Sequence, residues 1–355
     1  MLKRITILSY ALIMTMFFGL STPTAVFAGT MISDSQWPEA DPPPPPEPDG
    51  QYFYAEDAGS LEGNVIIKNV IGGPPQPPEG FALERNSASL PVPNKEAGIN
   101  VLVDVPAFDW SYGCSATSGA MIAGYYDRTF FANLYVGPTN ESVTPLNNSS
   151  WGTGEMPLSA TKLGLGGRAT KGHVDDYWIA YGNNDHDPFY GNWTQHSYGE
   201  CLGDYMKTNQ TSYYDNVDGE TTFYTWETFN GPLSCSEMEG YDIHNGDGTY
   251  GVKLFYESRG YTVTDCYSQR TDVAGGFSFE DYKAEIDAGY PVMFHVYGHT
   301  MVGLGYNDVG QTMYIHDTWD YSVHTMTWGG SYSGMDMYAV SIVRLEKETL
   351  DPGEE

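Results

Sequence analysis

The stretch YPVMFHVYGHTMVGLGYNDVGQTMYIHDTWD, Tyr290 to Asp320, decides how the second half of this chain is read. Short apolar runs rich in β-branched and aromatic residues alternate in it with turn formers. The spacing predicts strands over 291–297, 300–306 and 312–317, and a fourth over 322–328 just beyond. Gly298-His299 opens the second strand, Asn307–Gly310 makes a hairpin-like turn, and His316-Asp317 closes the third. Adjacent antiparallel strands then set Asp317 beside His299. A histidine held by a carboxylate is an oriented general base.

A base needs a nucleophile to act on, and the chain holds only 4 cysteines. One of them, Cys114, lies in DWSYGCSATSGAMIAGYYD, Asp109 to Asp127. The pattern predicts a helix over 114–126 with the cysteine in its first turn. There the free N–H groups and the positive end of the helix dipole stabilise a thiolate. Gly113 permits a tight approach to the helix. Ser115, Ala116, Ser118, Gly119 and Ala120 let it press closely on a sheet. A disulfide is the competing use, since Cys201, Cys235 and Cys266 are also present and four cysteines can form two bridges. With Cys114 kept as a thiol, Cys201–Cys235 and Cys235–Cys266 both close loops of reasonable length, and spacing does not choose between them. A second helix is predicted from Phe279 to Ala288, capped by Ser278 and stopped at Gly289.

Outside this domain the texture changes. Residues 1–28 carry Lys3 and Arg4, an apolar run, and Val26-x-Ala28 at the cleavage positions, the pattern of an export signal. No later stretch is long and apolar enough to span a bilayer. The expectation is a secreted, extracellular protein without a membrane anchor. Residues 29–50 include five consecutive prolines and read as an extended linker. Residues 51–100 form an extension of uncertain structure, in which Val65–Ile71 is strand-like before GGPPQPPEG breaks it. This extension packs on the main domain or acts as a pro-region. The domain itself runs over 101–345, and 346–355 is a polar tail. The full sequence of 355 residues has 16 Lys+Arg against 46 Asp+Glu, a net charge of −30. So acidic a chain is a poor partner for nucleic acid or anionic lipid.

Taken in order, these residues resemble papain-like cysteine peptidases. The opening is Val105-Pro106, Tyr112-Gly113-Cys114 and a small-residue helix ending Gly124-Tyr125-Tyr126. The second half is Gly289-Tyr290-Pro291, Gly298-His299, Gly305-Tyr306-Asn307-Asp308 and a strand ending in Asp317. More narrowly the pattern is similar to the C-39-like branch, related to the double-glycine leader peptidases that process bacteriocins. The resemblance covers roughly 101–127 and 279–318. It implies an α+β, papain-like fold in which a nucleophile helix packs on an antiparallel sheet. It implies a secreted hydrolase that cuts amide bonds in a peptide or protein substrate with Cys114 as nucleophile, His299 as base and Asp317 as orienting acid. No cofactor and no metal are implied. One departure concerns the oxyanion donor. The family places a glutamine about six residues before the cysteine, where this chain has Phe108 and then Asp109. Asp109 is the oxyanion candidate only when protonated, because a carboxylate cannot donate. The alternative reading is a non-catalytic secreted or cell-surface binding protein on the same fold.

The segment 128–275 reads as a long, loop-rich insertion between the two halves. It contains oxygen-rich runs such as YDIHNGDGTYG (241–251), which are chemically compatible with calcium but match no calcium-loop motif. His173, Asp175 and Asp176, or Asp185, His186 and Asp187, read more simply as turn chemistry than as metal ligands. His295 is expected to be a packed strand residue, His316 to face away from Asp317, and His324 to lie in an outer strand.

Overall fold

The computed structural model describes residues 52–61, 63–74, 76–78, 85–111, 113–135, 143–148, 158–159, 201–208, 216 and 219–347. The export-signal segment, the Pro-rich stretch, His173, Asp175, Asp176, Asp185, His186, Asp187, Tyr112 and the tail from 348 lie outside the described residues.

The chain begins with a hairpin, β1 (Phe53–Leu61) and β2 (Asn64–Ile71), followed by β3 (Ile99–Val101) and helix α1 (Cys114–Thr129). Next come α2 (Leu202–Met206), β4 (Thr221–Trp226), β5 (Leu233–Ser234), α3 (Cys235–Gly240), α4 (Gly248–Ser258) and β6 (Val263–Arg270). The last part is α5 (Phe279–Asp287), β7 (Val292–Val296), β8 (His299–Asn307), β9 (Thr312–His316), β10 (His324–Thr327), β11 (Ser331–Tyr332) and β12 (Met335–Leu345). Helices and antiparallel strands are mixed, so the class is α+β.

The main sheet has the order β10-β9-β8-β7-β12-β6-β5, with β3 added on β8 and β11 on β12. Its four predicted strands are β7 to β10, displaced by two residues at most. Val296 pairs with His299, so the β7–β8 turn is only two residues long. That turn fixes His299 as the first residue of β8. On β7 and β8 every residue but Asn307 is buried, which follows from their near-continuous apolar character.

Helix α1 packs on this sheet through β8 and β7. It is buried from Cys114 through Asp127. A helix buried on all sides must be apolar or small all round, and this one is both. Ser118 donates its hydroxyl to the Thr300 carbonyl at 3.0 Å, tying the helix to β8. Helix α5 starts as expected: Ser278 accepts from the Asp281 N–H at 3.2 Å and donates its own N–H to the Asp281 carboxylate at 2.8 Å.

Two expectations change. The segment 128–275 is not loop-rich throughout, because β6 from its end is an interior strand between β12 and β5. Alternation in VTDCYSQR is weak, so its pairing was not readable locally. The extension 51–100 is structured where described. Strands β1, β2 and β4 form a second, three-stranded sheet, in which β2 pairs with β4 from Ile66↔Trp226 to Ile71↔Thr221. Among the described residues no helix is long and apolar enough to cross a membrane.

Of the two bridges left open by spacing, the structure forms Cys235–Cys266, with 5.4 Å between Cα atoms, while Cys114 and Cys201 are buried outside it. It links the start of α3 to β6. Closing a loop with a sequence separation of 31 restricts the unfolded chain. On that account Cys235→Ser should lower stability by about 3 kcal/mol, read from urea melts of the non-reduced protein. Identical midpoints for variant and parent would show that the bridge is not holding the fold.

Candidate active site

Cys114 is the first residue of α1, and its placement depends on Gly113. That glycine has φ +147, and a Cβ on it would come within 2.6 Å of Thr208 Cγ2 and 3.0 Å of the Gly219 carbonyl. Only a residue without a side chain fits this approach. The first turn is then tied down by Thr117, whose hydroxyl donates to the Gly113 carbonyl at 2.8 Å and accepts from the Ser111 N–H at 3.0 Å. Cys114 is 0% exposed.

His299 faces it from the start of β8. Its Nε2 lies 2.8 Å from the main-chain carbonyl of Asp317 and 3.0 Å from Thr318 Oγ1. A carbonyl can only accept, so Nε2 carries the proton, and in the neutral ring Nδ1 is the lone-pair nitrogen. Nδ1 is buried without a hydrogen-bond partner. A single methyl-sized position, that of a Cβ added to Gly73, would overlap Cys114 Sγ and sit 3.0 Å from His299 Nδ1. The thiol sulfur and Nδ1 therefore lie within about 5 Å of one another. One face of the imidazole is covered by Trp319, with ring centroids 4.0 Å apart and planes 20° apart. Trp319 is itself fixed by its indole N–H, which donates to the Pro74 carbonyl at 2.7 Å.

The expected role of Asp317 needs correction. The residue is beside His299, but its main chain supplies the acceptor, not its carboxylate. The turn after β9 explains this: Thr318 has φ +65, which for a β-branched residue is strained by roughly 1–3 kcal/mol. That turn presents the Asp317 carbonyl and the Thr318 hydroxyl to the ring. The carboxylate accepts instead from Arg85 Nε at 2.7 Å, the Tyr332 hydroxyl at 2.8 Å and the Trp319 N–H at 3.1 Å. Arg85 also donates to Asp320 at 3.0 Å.

The thiol's acidity also differs from expectation. Complete burial pushes the Cys114 thiol up to about 11, although N–H groups and hydroxyls of Thr300 and Ser115 pull the other way. Burial likewise pushes His299 down to about 4, against the opposing pull of Asp317. The helix N-terminus is present as read, but desolvation outweighs it. In this state the pair is a neutral thiol and a neutral imidazole.

Asp109 has its own local partners. Its carboxylate accepts from the Trp110 N–H at 2.9 Å, and Asn148 brackets its main chain, accepting from the Asp109 N–H at 3.0 Å and donating to its carbonyl at 3.2 Å. Burial first, with the charges of Asp320 and Asp317, raises its carboxyl to about 6. At neutral pH it is mostly an acceptor, which argues against oxyanion donation. The N–H groups of the α1 first turn are the available main-chain donors.

His295, His316 and His324 are not part of the pair. His295 packs tilted against Phe223 with centroids 4.3 Å apart, and its nitrogens meet Thr300 Oγ1 at 3.0 Å and Ser341 Oγ at 2.9 Å. His316 reaches the Val105 and Ser322 carbonyls. His324 lies on the edge strand β10 yet is 1% exposed, bonded to Asp320 at 3.0 Å. Asp317, Asp320 and His324 bring one ligand atom each within 4.8 Å of one another, a grouping the sequence reading missed. The Arg85 guanidinium already supplies the cation between the two carboxylates, so the cluster has no need of a metal.

Residues 236–336 match the model of the Peptidase_C39 like family. Over that span the chain is similar to C-39-like cysteine peptidases. The match takes in His299 and Asp317 and does not reach Cys114. It supports a cysteine-peptidase-like function. No curated protein and no solved structure matches the chain.

His295 offers a check on the buried polar packing around this site. Burial lowers its folded pKa to about 3, whereas an unfolded histidine titrates near 6.5. Between those values the unfolded chain takes up a proton that the folded chain refuses, so the stability tied to the neutral ring is lost as pH falls. His295→Gln should therefore be clearly destabilising at pH 7 and much less so at pH 4. Melts of both proteins at the two pH values test this, and a gap that widens on acidification would contradict it.

Proposed function

We propose that this chain is a secreted cysteine peptidase-like hydrolase that cleaves amide bonds through Cys114 and His299. On this reading the fold is papain-like and α1 is its nucleophile helix. The observation that carries the proposal is the contact of His299 Nε2 with the Asp317 carbonyl at 2.8 Å, which favours the proton on Nε2 and leaves Nδ1, the nitrogen near the thiol, as the base.

The chemistry follows from those two atoms. His299 Nδ1 takes the thiol proton, and Sγ adds to the substrate carbonyl carbon. The carbonyl oxygen becomes an oxyanion, and the Cys114 N–H at the start of α1 is the donor placed to receive it. The same imidazolium then gives its proton to the leaving amine, and the C–N bond breaks to leave a thioester. Water, deprotonated by Nδ1, adds to the thioester and releases the acid and the thiol. Trp319, stacked on the ring face, helps exclude water from the imidazole, which keeps the orienting bond strong.

Measured on a form whose cleft is open, Cys114→Ala should abolish turnover of a peptide substrate with the fold intact. His299→Ala should reduce it by about a hundred- to ten-thousand-fold, the usual range for a lost general base. Asp317→Asn should leave measurable turnover, because the main-chain carbonyl that orients His299 survives the change. The measurement is turnover together with a thermal melt for each variant. Full activity in Cys114→Ala would end the hydrolase reading. An inert parent, with its cleft open, would leave the binding-protein alternative in its place.

A further inference from the structure

The Cys114–His299 pair is covered by the chain's own N-terminal arm. Strand β2 ends at Ile71, and Gly72, Gly73 and Pro74 then cross the site. Gly73 has φ +51 and is buried, and the position of its missing side chain is already filled by the thiol and by Cys114 Cβ at 2.8 Å. Any other residue there would collide with Sγ. Cys114 and His299 are both 0% exposed with this crossing in place.

The crossing is anchored on both sides. Upstream, β2 is paired along β4, Gly72 donates its N–H to the Tyr52 carbonyl at 2.7 Å, and Phe53 packs on Tyr297 and Tyr338 with centroids 4.9 and 5.4 Å away. Downstream, the Pro74 carbonyl accepts from Trp319, the residue that stacks on His299. Further along, Arg85 lies over the Trp319 ring at 5.2 Å and clamps Asp317 and Asp320, and Ala88 donates its N–H to the Val323 carbonyl at 2.7 Å. The arm thus holds the same residues that orient the histidine. Beyond it the link Val92–Ala97 is exposed, with Val92 85% exposed.

We propose that Gly72–Pro74 is a built-in inhibitory strap, seated on the thiol and held by the hairpin on one side and by Trp319 and Arg85 on the other, so that the described form is latent. This rests on Cys114 and His299 being the reactive pair. The strap excludes substrate by occupying the space next to both Sγ and Nδ1. It also keeps both groups desolvated, which favours their neutral forms. Because the strap is part of the chain, its local concentration at the site is high, and a cut in the exposed Val92–Ala97 link turns it into a separate, dilutable peptide.

The test compares the full chain with Gly73→Leu, in which the strap cannot seat. Iodoacetamide labelling of Cys114, followed by mass spectrometry of its peptide, should be at least tenfold faster in the variant at an unchanged domain melting temperature. If Gly73→Leu lowers the melting temperature, Phe53→Ala, which loosens the hairpin away from the cleft, should show the same direction with a smaller factor. Equal labelling rates in parent and variants would overturn the proposal. So would a parent chain recovered cut between Gly73 and Pro74, since the segment would then be a substrate. Faster labelling without peptide turnover keeps the strap and removes the hydrolase reading. Turnover that is lost in Cys114→Ala but equal in parent and Gly73→Leu keeps the hydrolase and removes the strap.

Discussion

One hydrogen bond sets the chemistry of this site: His299 Nε2–H to the Asp317 carbonyl, at 2.8 Å. It decides which ring nitrogen is free and so which atom faces the thiol. The bond exists because β8 and β9 are paired, Val302 with His316, so that the residue after β9 emerges level with the start of β8. A strained Thr318 then turns the carbonyl inward. Main-chain carbonyls make durable orienting groups, since they carry no charge to titrate and cannot be removed by substitution. The carboxylate of Asp317 is released for a different task, holding Arg85 and Tyr332 behind the ring.

Around this bond the protein is built to exclude water. α1 is buried almost throughout, Trp319 covers one side of the imidazole, and Gly73 lies against the thiol on the other. Burial raises the energy of every charged form in the site, and the shifts of Cys114 and His299 are its direct expression. With the thiol buried in this way, the proton is favoured on sulfur. The same low-dielectric surroundings make a thiolate–imidazolium pair strongly self-attracting once an opening lets water or substrate polarise it. On the proposed reading, latency and reactivity come from one arrangement in two states of coverage.

The arm that provides coverage also reaches the support network. Arg85 joins Asp317 to Asp320, and Asp320 in turn binds His324, with the carboxyl of Asp320 held well below its ordinary range once these contacts outweigh burial. Removing the arm leaves two carboxylates and a histidine close together without their cation. The backing of the site is thus electrostatically coupled to the segment that covers its front.

Much of this was legible in the sequence. Local pattern located α1, α5 and strands β7 to β10, because their apolar periodicity, cap residues and turn formers are nearest-neighbour properties. Cys114 and His299 stood out for the same reason, one behind a glycine at a helix start and one behind a glycine at a strand start. What the sequence did not determine is anything that depends on which distant groups meet. Asp317 was chosen by strand pairing, yet whether its carboxylate or its carbonyl would meet the ring depended on a positive φ at Thr318. The Cys235–Cys266 bridge, the interior place of β6, and the clamp of Arg85 on Asp317 join residues far apart in the chain, and no local spacing encodes them. Gly72-Gly73 read only as a break before prolines. Its position on the thiol, and the desolvation that raises the thiol's pKa instead of lowering it, came from tertiary packing, because burial is a property of the assembled fold and not of the residue.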